Sequence, residues 1–211
     1  MEPKYISLGS TCEVAHSLKS CGIRKEGYPF DYITTIDCHK FITILDTNFE
    51  HFIDDRHLVP AKVDPFPLYN TYYNIEILHE GVFNTEGYDR NMTLFKEKYM
   101  RRIERFRLLN EYGGKVVFLR HAYKYSVTDP HRIYQCADNI RIDDAYATEL
   151  YASLKRFFDK LDFTLIILNN HEGSFIEERR IHDKLIFCLN DPSKELVAKG
   201  NAYKEYLDTL V

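Results

Sequence analysis

The sequence has no CxxC pair, no HxxxH or HExxH spacing, and no apolar run approaching the ~20 residues that span a bilayer. Each absence removes a class. Cys12, Cys21, Cys38, Cys136 and Cys188 are odd in number and scattered, which argues against a disulfide framework and against a structural zinc site. A reducing, cytoplasmic setting is the expectation that follows. The nine histidines leave open only a metal site assembled from distant positions, so no metal ligand is assigned and no cofactor is expected. The opening Met1-Glu2-Pro3-Lys4 leads straight into an apolar run, without the basic and then apolar segments of a secretory leader. A formal charge of −4 gives no electrostatic reason for nucleic acid or an anionic membrane as the main partner. Internal repeats and low-complexity tracts are also missing.

What is present is an ordinary mixture of apolar and charged residues over 211 positions. That length suits one domain over 1–211 with a substantial core. Tyr5-Ile6-Ser7-Leu8-Gly9 reads as a strand that turns directly into a helix at Ser10-Thr11-Cys12-Glu13. Ser10 and Glu13 have capping-box spacing, Val14, Ala15 and Leu18 form the apolar stripe, and Gly22 is the expected stop. Cys12 then lies in the first turn, among unpaired amides at the positive end of the helix dipole. Both effects favour thiolate, the nucleophilic form. The competing reading is a small residue packed between helix and sheet.

Further on, Tyr28-Pro29-Phe30-Asp31-Tyr32 is an aromatic turn, and Asp37 has the position of an N-cap for a helix carrying Phe41, Ile44 and Leu45. Pro60, Pro65 and Pro67 predict an irregular flap near residues 58–70. Residues 73–79 alternate as a strand should, placing Ile75, Ile77 and His79 on one face. Met92, Phe95, Tyr99, Ile103, Phe106 and Leu109 mark an amphipathic helix with a basic opposite face. Solvent exposure is the ordinary meaning of such a face, and phosphate binding by Arg101, Arg102 and Arg105 is the alternative. Val116 to Leu119, Phe163 to Leu168 and Leu185 to Leu189 are continuous apolar runs, separated by a helix around Ala147 to Leu161. This alternation predicts a three-layer α/β fold, mainly parallel in its sheet, with helices on both faces. Ligands in such folds sit beyond the carboxyl ends of the strands. Gly9 to Cys12, His79, Arg120-His121 and Asn169-Asn170-His171 occupy those ends.

Ile6-Ser7-Leu8-Gly9-Ser10-Thr11-Cys12, then Gly22-Ile23-Arg24 and Pro29-Phe30-Asp31-Tyr32, resemble a family described as "putative papain-like cysteine peptidases". Its signature is an S-L-G-x-x-C opening followed by L-R and P-F-D-W. The region of Phe49 and Phe52, the strand ending at His79, the stretch Lys98 to Arg105 and the strands around Phe118 and Leu165 resemble it too. Thr11 stands where members often have asparagine, Tyr32 where tryptophan is common, and Glu80 where aspartate is common. The resemblance implies a papain-like hydrolase in which Cys12 and His79 are the catalytic pair. The G-x-C opening is also similar to that of capsule-biosynthesis acetyltransferases, which use a cysteine–histidine site and bind coenzyme A.

Cysteine–histidine chemistry needs a thiol, a base within reach and a group that orients the base. Among the histidines at strand ends, His79 is the first choice of base, and His121 and His171 are substitutes. Asp31, Asn169 and Asn170 are equivalent candidates for the orienting group. First-turn amides offer oxyanion stabilisation, to which the Ser10 or Thr11 hydroxyl could add. The expected activity is acyl transfer through Cys12, with hydrolysis of a peptide or small acyl substrate as its first form. Acyl transfer from coenzyme A to a sugar-like hydroxyl is the second. A binding module that keeps the fold without activity is the third.

Overall fold

A computed structural model gives the fold for residues 1–35, 37–60, 67–80, 83, 87–122, 143–169, 178–188 and 202–210. In chain order the elements are β1 (Lys4–Ser7), α1 (Glu13–Ser20), β2 (Ile33–Thr35), α2 (Cys38–Asp46), β3 (Leu58–Pro60), β4 (Leu68–Asn70) and β5 (Ile75–Ile77). There follow α3 (Tyr88–Arg107) with a 3₁₀ turn (Leu108–Glu111), β6 (Val116–Ala122), α4 (Asp144–Phe157), β7 (Phe163–Asn169), β8 (Glu178–His182), β9 (Leu185–Cys188) and α5 (Ala202–Thr209).

The apolar runs become a five-stranded sheet in the order β1-β6-β7-β9-β8, parallel except where β8 pairs antiparallel with β9. Successive side chains point to opposite faces, so each run divides between two clusters. Tyr5, Val117, Leu119, Ile166 and Ile186 pack with Val14 and Leu18 of α1 and Tyr203 and Leu207 of α5. Ile6, Phe118, Leu165, Ile167 and Phe187 join a larger cluster that takes in residues of α2, α3 and α4. β8 escapes the apolar signal because Glu178, Arg179 and Arg180 are exposed. Charge on an edge strand is a familiar guard against intermolecular pairing.

A second sheet, antiparallel throughout in the order β2-β5-β4-β3, departs from the expected single parallel sheet. Its strands are three residues each; β5 falls within the alternating run 73–79, whereas β2, β3 and β4 are too short to show a period of two. The anticipated flap is also revised: Leu58, Val59 and Pro60 pair with Asn70, Tyr69 and Leu68, so its two ends belong to the sheet, and residues 61–66 lie outside the described residues. Asn70 organises the return into β5, since its Oδ1 accepts from the Tyr72 and Tyr73 amides at 3.1 and 2.9 Å. The larger cluster contains Ile33, Leu68, Ile75 and Ile77 of this sheet together with Ile6 and Phe118 of the other.

Helix boundaries follow their caps. Asp37 accepts from the His39 and Lys40 amides at 2.9 and 3.2 Å, and Asp143 accepts from Tyr146 at 2.9 Å. The α1 terminus is a left-handed glycine, Gly22 at φ +66°, with the Ile23 amide donating back to Leu18 at 2.9 Å.

Candidate functional site

The turn from β1 into α1 is shaped by two residues in the left-handed region, Gly9 at φ +73° and Ser10 at φ +84°. A Cβ on Gly9 would stand 2.7 Å from Ile33 Cγ1 and 2.8 Å from the Phe30 carbonyl, so glycine is needed for space as well as for φ. Ser10 has no such exemption, and its conformation must be held by its surroundings. The Leu8 amide donates to Leu119 at 2.8 Å, and the Thr35 amide donates to the Ser10 carbonyl at 3.3 Å. Buried Arg120 donates from Nη1 to the Leu8 carbonyl at 2.6 Å, with its guanidinium 3.9 Å from the Phe41 ring centroid. The turn is thus clamped between the two sheets.

This geometry overturns the capping box. A residue with positive φ cannot take the extended N-cap conformation. The helix starts later: Cys12 is the N-cap, and Thr11 Oγ1 accepts from the Glu13 amide at 3.3 Å. Cys12 remains at the positive end of α1. Its carbonyl accepts from the His16 amide at 3.0 Å, which sets Cys12 and His16 one turn apart on the same face.

His79 reaches the same place from the other sheet. β5 ends at Ile77, the Leu78 amide donates to the Tyr32 carbonyl at 2.7 Å, and His79 turns out at φ +56°. Its side chain is exposed and no longer shares a face with Ile75 and Ile77, contrary to the strand reading. The next residue holds the loop. Glu80, with a side chain only 1% exposed, sits 2.6 Å from both Lys98 Nζ and Arg102 Nη1, and Tyr99 donates to it at 3.4 Å.

Cys12 Sγ and one ring nitrogen from each of His16 and His79 lie within 4.8 Å of one another, with Cys12 half-buried and both histidines exposed. The two imidazoles meet edge to face at 5.8 Å between centroids, and Tyr32 lies 5.6 and 5.7 Å from them. Burial, then the neighbouring His79, then Lys19 and Arg24 lower the pKa of His16, favouring its neutral form.

The Pro29 to Tyr32 turn supplies the floor, and its residues divide the work. Phe30 is buried against Phe41, Phe49 and Phe106, with centroids 4.8, 5.4 and 5.3 Å away. Asp31, also buried, pairs with Arg24 at 2.7 Å and accepts from the Tyr28 amide at 2.8 Å. Burial pushes its carboxyl pKa up against the opposing pull of Arg24. Arg24 in turn donates to the Tyr32 hydroxyl at 2.9 Å. Asp31 therefore touches the cluster only through Arg24 and Tyr32.

His121 stands beside the same turn without joining the three-residue group: its amide donates to the Gly9 carbonyl at 3.5 Å, and its buried ring places Nδ1 3.4 Å from Glu13 Oε2. Other expected residues have partners of their own. Arg102 is committed to Glu80. Arg105 Nε lies 3.5 Å from Glu26, and its Nη1 donates to the Gly27 carbonyl. Of the supposed phosphate cluster, only Arg101 keeps an exposed position. Asn170 and His171, like Cys136, lie outside the described residues. His16 was not anticipated. The signal for it was the C-x-x-x-H spacing from Cys12, which a search confined to paired histidines passes over.

A second group of potential ligands, His51, Asp54 and His57, lies in the turns after α2, again within 4.8 Å of one another. Asp54 is occupied by Arg56, whose Nε stands 3.0 Å from both carboxylate oxygens.

No helix among the described residues is long and apolar enough to cross a membrane. No solved structure matches the chain. An uncharacterised protein of Acanthamoeba polyphaga mimivirus is 30% identical over 138 residues, covering 57% of this chain and 62% of that protein. The chain therefore spans less than two thirds of that relative. The profile of the family described as "Putative papain-like cysteine peptidase (DUF1796)" matches residues 3–173, which include β1, the Cys12 turn, the Phe30 to Tyr32 floor and His79. On the extent of that match the chain belongs to this family.

Proposed function

We propose that the protein is a cysteine-dependent acyl-transfer enzyme, acting as a peptidase or related amide hydrolase, with Cys12 as nucleophile and His79 as general base. The observation that carries this is the meeting of a helix-start thiol with an imidazole nitrogen from each of two histidines within 4.8 Å, where the turn before Cys12 passes through Ser10 at φ +84° and His79 itself stands at φ +56°. Strain of this kind, about 1–3 kcal/mol for each residue, persists only where the surroundings enforce it, and it gathers at functional sites.

In this reading His79 takes the thiol proton as Cys12 Sγ attacks the substrate carbonyl. First-turn amides of α1 face the oxyanion that develops. The C–N bond then breaks, the imidazolium returns its proton to the leaving amine, and Cys12 holds the acyl group as a thioester. Water, deprotonated by the same imidazole, releases the acid and restores the thiol. The exposed histidines suit an extended chain crossing the surface. The coenzyme A form of the chemistry loses its support, because Arg102 and Arg105 already serve protein partners.

Competitive alkylation with iodoacetamide in the presence of chelator, followed by peptide mapping, tests the assignment. Cys12 should label first near neutral pH, and His79→Ala should slow it with the difference vanishing at high pH, where both thiols are ionised. Cys12→Ser should fold normally and lose hydrolysis of activated esters and fluorogenic peptides on the order of 10³-fold or more. Labelling of Cys21 or Cys38 ahead of Cys12 would end the proposal.

A further inference from the structure

Acyl transfer by a thiol needs one imidazole, and this site has two. Cys12 and His16 stand one helical turn apart, while His79 arrives from a separate sheet, so three potential ligands converge from two independent elements. We infer that Cys12, His16 and His79 form a three-ligand site for a zinc-type divalent cation, with the fourth position open to solvent.

The donor set fits that class. One thiolate and two imidazoles favour zinc and its transition-metal neighbours over magnesium or calcium, which take oxygen ligands. Tetrahedral zinc, with sulfur at about 2.3 Å and nitrogen at about 2.0–2.1 Å, brings its ligand atoms to roughly 3.4 Å from one another. Closing from the present separations requires rotation of His16 and His79, whose exposed side chains can turn without entering the core. Of the nearby cations, Arg24 is paired with Asp31 at 2.7 Å and Arg102 with Glu80 at 2.6 Å, which leaves Lys19 as the positive charge that binding at His16 must overcome. On binding, the S–H bond gives its proton to solvent as the sulfur–metal bond forms.

A ligated sulfur cannot attack a carbonyl carbon, so occupancy would switch the hydrolase off. That consequence rests on the acyl-transfer reading, whereas the ligation itself does not.

Cobalt(II), added alone to the full chelator-treated chain, is the probe. One equivalent should saturate it, with a sulfur-to-cobalt charge-transfer band, intense four-coordinate visible bands, and displacement by zinc. Cys12→Ser should abolish the charge-transfer band. His16→Ala and His79→Ala should each weaken binding by about tenfold or more, the scale on which even the outer partners of ligands act. Circular dichroism confirms that these surface variants fold. No charge-transfer band in the parent, a band that survives in Cys12→Ser, or unchanged affinity in both histidine variants overturns the site. Iodoacetamide labelling separates the two readings. Cys12-selective labelling without cobalt binding removes the metal site and leaves the hydrolase, and cobalt binding to an unreactive Cys12 does the reverse. Where both hold, zinc should slow Cys12 labelling by about tenfold or more, and an unchanged rate would refute the switch.

Discussion

Cys12–His16–His79 and His51–Asp54–His57 each gather three ligand-type side chains within 4.8 Å, yet their surroundings differ in kind. In the second cluster the carboxylate is already neutralised by Arg56, and the imidazoles lean on Tyr72 at 4.2 and 5.2 Å. Every member has local work in closing the turns between α2 and β3. Among the described residues no carboxylate is grouped with the three side chains of the first cluster. The nearby acids Asp31 and Glu80 are spent on Arg24, Lys98 and Arg102, which hold the loops rather than the imidazoles, and Glu13 faces His121. Proximity of ligand types is therefore a weak criterion. What separates the clusters is whether the charges around them serve the cluster itself or the backbone that presents it.

The largest effect that sharpens this contrast is expected at Glu80. Its removal leaves Arg102, only 11% exposed at the side chain, without its carboxylate. Breaking a buried pair from one side costs about 3–5 kcal/mol, because the remaining charge stays desolvated. Glu80→Ala should lower the urea midpoint by a corresponding amount at nearly unchanged slope. It should also slow Cys12 alkylation, since the left-handed turn at His79 loses its anchor. A variant as stable as the parent would show that the ion pairs do not position the loop.

A middle-sized effect should fall on the scaffold beneath the other cluster alone. Asp37 caps α2, the helix that leads towards His51, through two amide hydrogen bonds. Asp37→Ala should cost about 1 kcal/mol of stability. Cys12 reactivity and cobalt affinity should not move, and if they fall with stability the two clusters share one scaffold.

These sites differ equally in how far the sequence discloses them. The Asp37 cap, the α3 stripe and the β1, β6, β7 and β9 runs are legible because each is a local pattern satisfied within its own element. Of the second sheet only β5 is legible, through the alternation of 73–79; three-residue strands such as Ile33–Thr35 and Leu68–Asn70 are fixed by their partners rather than by any period of their own. Ser10 illustrates the limit most sharply. Its spacing to Glu13 is that of a cap, but the approach of Ile33 and Phe30 to Gly9 forces the turn into positive φ and delays the helix to Glu13. The alternation of 73–79 places His79 at the end of a strand face, whereas its route to Cys12 runs through a left-handed turn that no alternation predicts. The basic face of α3 read as solvent-exposed or phosphate-binding, whereas Arg102 and Arg105 tie the helix to Glu80, Glu26 and Gly27. Such long-range ties leave no mark at their own positions.

The smallest effect is expected where the comparison can be broken on purpose. Hydrogen bonds from Arg56 hold the Asp54 carboxyl well below the usual carboxylate range. A depressed native pKa contributes stability that is complete above the unfolded value, about 3.9, and is lost as pH falls through the native one. Arg56→Ala should bring Asp54 back towards that ordinary value, read from its side-chain carbon resonance in an NMR titration. The acid limb of the stability curve should then flatten slightly, with nothing changed at neutral pH in ester hydrolysis or Cys12 labelling. The variant also exposes an aspartate beside two imidazoles, a harder donor set than the Cys12 cluster offers. Any cobalt it gains there should lack the sulfur charge-transfer band, so the two clusters remain distinguishable by colour. An unshifted Asp54 pKa would mean that Arg56 does not neutralise the second cluster, and the physical distinction drawn between the two would fail.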